Sequence, residues 1–396
     1  MEKFQDREKV YHATREQARF EPDEIMCIIQ DGMDQKKTAI PRLVNEDKMT
    51  SLLARIRLHI TGNIIHTNVP GGKIIPAYVD LLNYPHDSNL SMHLLLQTLF
   101  DNRARLSRCL FTQLDNCYRE NKNRYMLSLA HVLVQYKVFD MVDLHFLPVG
   151  HTHEDIDQLF SCISRHLKKT NIYTMDDMER AVMNSYNVPV FVKHVEGVFD
   201  IKKWLLPHMV KNFKGRSKPL HFQFKEFDGK VRMRYRHRST SNWRPVLQFK
   251  DDDFTPIEES KGLICLKTLP NVDDVPEWVK PSIEKMDPER LRKDLPDAYQ
   301  GRITCERDKQ WLREFAQNIN DHAKAPSSRP QRWFLHDLID AAKQRRDRQQ
   351  NTSMPDHILS IQQNIENECP DVVIGRPIPT SEDRGIALRK WMTSPA

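Results

Sequence analysis

Between positions 151 and 157 the chain carries two imidazoles and three carboxylates: His151, His153, Glu154, Asp155 and Asp157. Side chains of these types bind metal ions or move protons. They lie in the segment Asp143–Lys169, DLHFLPVGHTHEDIDQLFSCISRHLKK. Its apolar run from Leu144 to Val149, closed by Gly150, predicts a buried strand. Ile156, Leu159, Phe160, Ile163 and Leu167 then fall at helical spacing and predict an amphipathic helix. The cluster therefore sits at the carboxyl end of a strand, where ligands bind in open α/β sheets. Part of it also suits a plainer role, since Glu154 and Asp155 at a helix start would cap free N–H groups and complement the macrodipole.

Two more predicted strands end in acids. Ile25 to Gln30 runs into Asp31, and Cys109 to Leu114 runs into Asp115. Carboxylates at the ends of three strands can converge although far apart in sequence. Such hard oxygen donors favour Mg²⁺ or Mn²⁺. Two such ions side by side suit phosphodiester cleavage or strand transfer. Asp157 follows the buried Ile156, so it flanks the apolar stripe and can point back at the sheet edge.

The elements that must position these acids alternate along the chain. Ala54 to Ile60 alternates Arg55, Arg57 and His59 against Ile56, Leu58 and Ile60, as a half-buried strand does, and can continue through Ile64 and Ile65. After the turn at Pro70-Gly71-Gly72, Lys73 to Leu82 reads as the returning strand, with Pro76 implying an edge or irregular pairing. A helix is expected from Ser88 or Asn89 to about Arg108, and Asn123 caps another. Thr174 to Asp177 has the form of a capping box. The order is strand, strand, strand, helix, strand, helix, strand, helix.

The strings DGMDQKK at 31–37, QLDNCYRENKN at 113–123 and LPVGHTHEDIDQLFS at 147–161 resemble an uncharacterised, transposon-related family. Its core is related to the ribonuclease H-like fold of integrases and transposases. The resemblance covers roughly residues 21–190, and the strand order read above agrees with that fold. It implies a mixed five-stranded sheet flanked by helices, with acids on the first strand, the fourth strand and a later helix. Carried over residue by residue, these are Asp31, Asp115 and Asp157, binding Mg²⁺ or Mn²⁺. Glu154 stands as an alternative to Asp157, and Asp34 to Asp31; Asp155, His151 and His153 would support the ligands from outside.

Other readings compete. His151-x-His153-x-Asp155 also opens the zinc motif of metallo-β-lactamase-type hydrolases, but Ile156 stands where that motif continues with His. A transposon-derived chain can also keep the fold without the catalysis and only bind DNA or protein.

Outside the expected core, Lys230, Arg232, Arg234, Arg236 and Arg238 alternate with Val231, Met233, Tyr235 and His237. On a strand all five cations would share one face and could neutralise phosphates. An edge strand guarded by charge has the same pattern. Lys122, after the second acid, is a further phosphate contact or a solvated surface lysine.

The expected organisation is therefore a polar helix over 1–20, a ribonuclease H-like core over 21–195 and a small basic β-rich module over 196–250. A Pro- and acid-rich linker over 251–300 and a helical region with a loose tail over 301–396 follow. The chain has 39% hydrophobic and 29% charged residues and a net charge of +6. No apolar run approaches the roughly 20 residues of a membrane helix. The charged opening does not read as a secretory signal. Seven cysteines without a C-x-x-C pair indicate neither a zinc finger nor a disulfide framework and fit a reducing compartment. DNA is the expected partner, with an intracellular, nuclear location following from it, and self-association is compatible with this reading.

Overall fold

The computed structural model describes residues 2–147, 155–211, 218–237, 241–246, 261–297, 299 and 301–351. In order they form α1 (Glu2–Phe20), β1 (Ile25–Gly32), α2 (Lys48–Ser51), β2 (His59–His66), β3 (Lys73–Asp80) and α3 (Ser88–Asp101). Then come β4 (Cys109–Leu114), α4 (Arg124–Gln135), β5 (Met141–Phe146), α5 (Asp155–Leu167), α6 (Met175–Met183), β6 (Val190–His194) and α7 (Ile201–Leu205). The chain continues with β7 (His221–Phe227), β8 (Lys230–Arg236), β9 (Arg244–Pro245), α8 (Pro288–Asp297), α9 (Glu306–Gln317) and α10 (Phe334–Asn351).

All nine strands belong to one mixed sheet, ordered β6-β3-β2-β1-β4-β5-β7-β8-β9. β1 pairs in parallel with β4, and β4 with β5, whereas β2 is antiparallel to both β1 and β3. The five-stranded sheet expected from sequence is thus too small. β6 adds in parallel to β3, and β7 adds antiparallel to β5. The strands expected in a separate basic module extend the same sheet. The reason lies in their apolar residues: Phe222 and Phe224 of β7 and Val231 and Met233 of β8 continue the buried face begun by Val142 and Leu144 of β5.

The period-2 alternation of the strands divides the core in two. On one face Met26, Ile28, Leu110 and Leu114 pack with Leu95 and Leu99 of α3 and Leu129 and Leu133 of α4. On the other, Cys27, Ile29, Ile64 and Phe111 pack with Tyr11 of α1, Ile156, Leu159 and Ile163 of α5, and Met178 of α6.

Several boundaries differ from expectation. β2 starts only at His59, and Ile56 instead makes an isolated bridge with Ile40. α3 is capped by Asp87, whose side chain accepts from Asn89 N at 2.8 Å, and it ends at Asp101 before a short turn at Arg103–Arg105. The strand placed at Leu144–Val149 lies at Met141–Phe146. Pro76 is not on an edge, because β6 covers β3; the paired residues of β2 and β3 run Gly62↔Ala77 then Ile65↔Ile74, with Pro76 in the interval. The Asn123 cap and the Thr174–Asp177 capping box form as expected.

Residues 1–343 form one compact unit and residues 344–396 a second, of which the described part, 344–351, is helical. No helix among the described residues is long and apolar enough to cross a membrane.

Because β7 completes the β5 edge, a chain cut at residue 195 would expose that edge and one flank of its core, a template for association. Such a truncation should elute as aggregate in size-exclusion chromatography, while residues 1–343 should elute as a folded species. A soluble, cooperative 1–195 fragment would contradict this.

Candidate metal and nucleic-acid site

Parallel pairing of β1 and β4 runs to Gln30↔Leu114, so Asp31 and Asp115 emerge abreast at neighbouring strand ends. Both continue the face of Cys27, Ile29 and Phe111, on which α5 packs. In β2, Gly62 is the register partner of Asp31. A Cβ on Gly62 would lie 2.9 Å from Phe160 and 3.1 Å from Ile156. The missing side chain thus lets the first turns of α5 settle onto the sheet beside Asp31, and Asp157 lies in those turns.

The electrostatics register this approach. Burial, and then the charges of Asp115, Asp157 and Glu120, push the Asp31 carboxyl up to about 7 against the opposing hydrogen bond from Gly32 N. Glu120 is raised in turn, by burial and by Asp115. Four carboxylates from three segments, β1, the loop after β4 and α5, therefore share one end of the sheet. Their donor chemistry fits a hard divalent ion, which would offset the mutual repulsion. They are not in a group whose ligand atoms lie within 4.8 Å of one another, so a shared ion would have to draw them inward.

Asp115 is held by a chain of polar groups. Asn121 Nδ2 donates to Asp115 Oδ1, and Cys117 N donates to the same oxygen at 3.3 Å. Asn121 Oδ1 accepts from Ser91 Oγ, which accepts from Gln30 Nε2 at 3.1 Å. Lys122 is buried instead of solvated, its Nζ 5.9 Å from the centre of the Phe146 ring. It offers no open phosphate contact.

The opposite side of the same end holds a group that sequence reasoning missed. His59 at the start of β2 faces Asp80 at the end of β3, Nδ1 to Oδ2 at 3.0 Å, and His86 Nε2 lies 3.5 Å from Asp80 Oδ1. One ligand atom from each residue falls within 4.8 Å of the others. Burial disfavours the Asp80 carboxylate, but hydrogen bonds from both imidazoles outweigh this and hold its pKa at about 2. A cavity of about 30 Å³ adjoins the group and is lined by Asp31, His59, His86, Glu120 and Asn121 among others. The sequence did carry one signal: Asp80 ends a strand, as Asp31 and Asp115 do.

The other expected site residues have different surroundings. Asp34 is exposed and caps a short turn, accepting from Lys36 N at 3.1 Å. Asp155 pairs with Arg15 of α1 at 3.1 Å and lies 3.3 Å from His66, which burial pushes down to about 3 and so keeps neutral. It fastens α5 to α1. Glu154, His151 and His153 lie outside the described residues, as does Arg238.

Lys230, Arg232, Arg234 and Arg236 do share one face of β8, opposite the buried Val231 and Met233. Only Lys230 is fully exposed. Arg234 lies over the Phe227 ring at 4.0 Å, Arg236 over Trp243 at 4.4 Å, and Arg232 Nη1 donates to Gly262 O at 3.3 Å. Asp143, half-buried under this face with one carboxylate oxygen enclosed, is raised to about 6 by burial and drawn down by Arg236. The row Ile29, Gln113, His145, His221, Arg236 runs straight across the ladder. The cations are therefore on the acids' side of the sheet, three strand spacings or roughly 14 Å from β4.

A family model described as "Domain of unknown function (DUF7869)" matches residues 48–241. The match includes Asp80, Asp115, Asp157 and β8, and begins after Asp31. No curated protein and no solved structure matches the chain.

Folding raises the Asp31 pKa from 3.8 to about 7, so the folded chain binds that proton more tightly. The resulting stabilisation is complete below about pH 4 and lost as pH rises through 7. Asp31→Asn should therefore raise Tm relative to wild type at about pH 8.5, and this difference should vanish near pH 4. Equal pH profiles from thermal melts would refute the acid cluster. Separately, Gly62→Val should lift α5 and cost about 1–3 kcal/mol in chemical denaturation; an unchanged midpoint would show that α5 has room to spare.

Proposed function

We propose that this protein acts on DNA through a ribonuclease H-like, transposase- or integrase-type site in which Asp31, Asp115 and Asp157 bind Mg²⁺ or Mn²⁺. The observation that carries the proposal is the placement of Asp31 and Asp115 at the ends of two adjacent parallel strands, with Asp157 on a helix docked beside them near enough that its charge and that of Asp115 act on Asp31. The inner strand order β3-β2-β1-β4-β5, with β2 alone reversed, supports the fold assignment.

Bound ions of this kind polarise a phosphate and activate the attacking water or hydroxyl. The chain's own part is positioning. Asp31 sits on a strand and Asp115 directly follows one, and the Gln30–Ser91–Asn121 chain fixes the second acid. Glu120 adds a fourth carboxylate beside them. The cations of β8 would hold the phosphate backbone where it crosses the same sheet face, without reading sequence.

One observation favours a second reading, a protein that binds DNA without cutting it: the carboxylates do not form a close ligand group. Cleavage of plasmid and branched DNA decides between them. Metal-dependent nicking that falls to background in Asp115→Asn, with DNA binding kept, supports the first. Binding without cutting under any divalent ion supports the second. In either case Arg234→Ala should lower the slope of log affinity against log salt by about one; an unchanged slope would remove β8 from the interface.

A further inference from the structure

We infer that His59, Asp80 and His86 form a binding site for a first-row transition-metal ion, distinct from the acid cluster. Two imidazoles and one carboxylate are a donor set for zinc, iron and their neighbours and not for Mg²⁺. The inference does not depend on the nuclease reading.

Four observations carry it. His59 Nδ1 lies 3.0 Å from Asp80 Oδ2 and His86 Nε2 3.5 Å from Asp80 Oδ1, and one ligand atom from each residue falls within 4.8 Å of the others, close enough to share one ion with ligands at about 2.0–2.2 Å. The two imidazole rings lie 4.0 Å apart and tilted by 44°, so both present nitrogen to the same carboxylate. His86 Nε2 is buried and faces Asp80 Oδ1 at 3.5 Å, the long limit of a hydrogen bond, and its Nδ1 lies 3.0 Å from the Gln35 side-chain amide. With the Gln35 amide turned so that its oxygen accepts from Nδ1–H, this contact would fix the ring and leave the Nε2 lone pair for the ion, as partners of metal-bound histidines do. Finally, the backbone leaves room. A Cβ on Gly32 would lie 2.7 Å from His59 Nε2, and the adjoining cavity of about 30 Å³ is enough for a water as a further ligand.

A plain hydrogen-bonded His–Asp–His group accounts for the short His59 contact. It leaves the His86 contact long, at 3.5 Å, beside a polar cavity. Asp80 Oδ1 is already occupied by Leu82 N at 2.8 Å. An ion in the group would satisfy both imidazoles and the carboxylate at once. It would also join the start of β2, the end of β3 and the loop before α3, beside Asp31 and Glu120.

The test uses the full chain, stripped with a chelator and titrated with Zn²⁺ by calorimetry and with Co²⁺ by visible absorption. Wild type should bind one equivalent with a d–d spectrum of nitrogen and oxygen ligands. His86→Ala and His59→Gln, each checked by circular dichroism, should weaken binding about a hundredfold or more. Asp115→Asn should bind Co²⁺ as wild type does, which separates this site from the acid cluster. Mg²⁺ at equal concentration should not compete. No binding by wild type, or equal binding by the His86 and His59 variants, would overturn the inference. Should His86→Ala misfold, Gln35→Ala serves in its place. It leaves all three ligands intact and should weaken Co²⁺ binding; unchanged affinity would also count against the site.

Discussion

The parallel ladder between β1 and β4 is the constraint from which the rest of the first unit follows. It lies in the middle of a nine-stranded sheet, so both cores are built on it. Strand alternation sends Ile28 and Leu110 to one core and Cys27 and Phe111 to the other, and a shift of one residue would exchange the two. The same register puts Asp31 and Asp115 side by side. The placement of the two acids and the packing of the two cores thus share one set of backbone hydrogen bonds.

Negative charge gathers at the end of that ladder. Carboxylates in a partly buried group raise one another's cost of ionisation, and a stable fold tolerates this only with a compensating interaction. The structure supplies some compensation itself: Gly32 N donates to Asp31, and Asn121 and Cys117 donate to Asp115. A few residues away, Asp80 meets the opposite situation, with two imidazoles overcoming its burial. The two groups share the wall of one small cavity, so the chemistry of either is felt by the other. Glu120 is the clearest case, raised by burial and Asp115 and lowered by His86 and His59.

The cations of β8 are tempered in a different way. Their long side chains cover aromatic rings and a half-buried carboxylate while keeping cationic heads on the acids' side of the sheet. Stacked guanidinium groups lose less freedom on meeting a phosphate than solvated ones. The fold also relates the basic strand to the acids by a rigid sheet and not by a linker.

Local pattern was enough for the elements themselves. The strands ending at Asp31 and Asp115, the Asn123 cap, the amphipathic face of α5 and the alternation of β8 are all written in spacing over fewer than about 20 residues. Residues with their own short-range geometry, such as the Thr174–Asp177 box, were legible for the same reason. What the sequence did not determine depends on pairing between distant segments. Whether β7 joined β5 or stood in its own module turned on an unpaired edge 75 residues earlier in the chain. His59 looked like one polar residue of an alternating strand until β3 brought Asp80 opposite it and the loop before α3 brought His86. Asp155 looked like a site residue until Arg15 claimed it, and Lys122 looked solvated until the fold buried it. In each case periodicity fixes which side of an element a residue faces, and only tertiary packing decides what stands there to meet it.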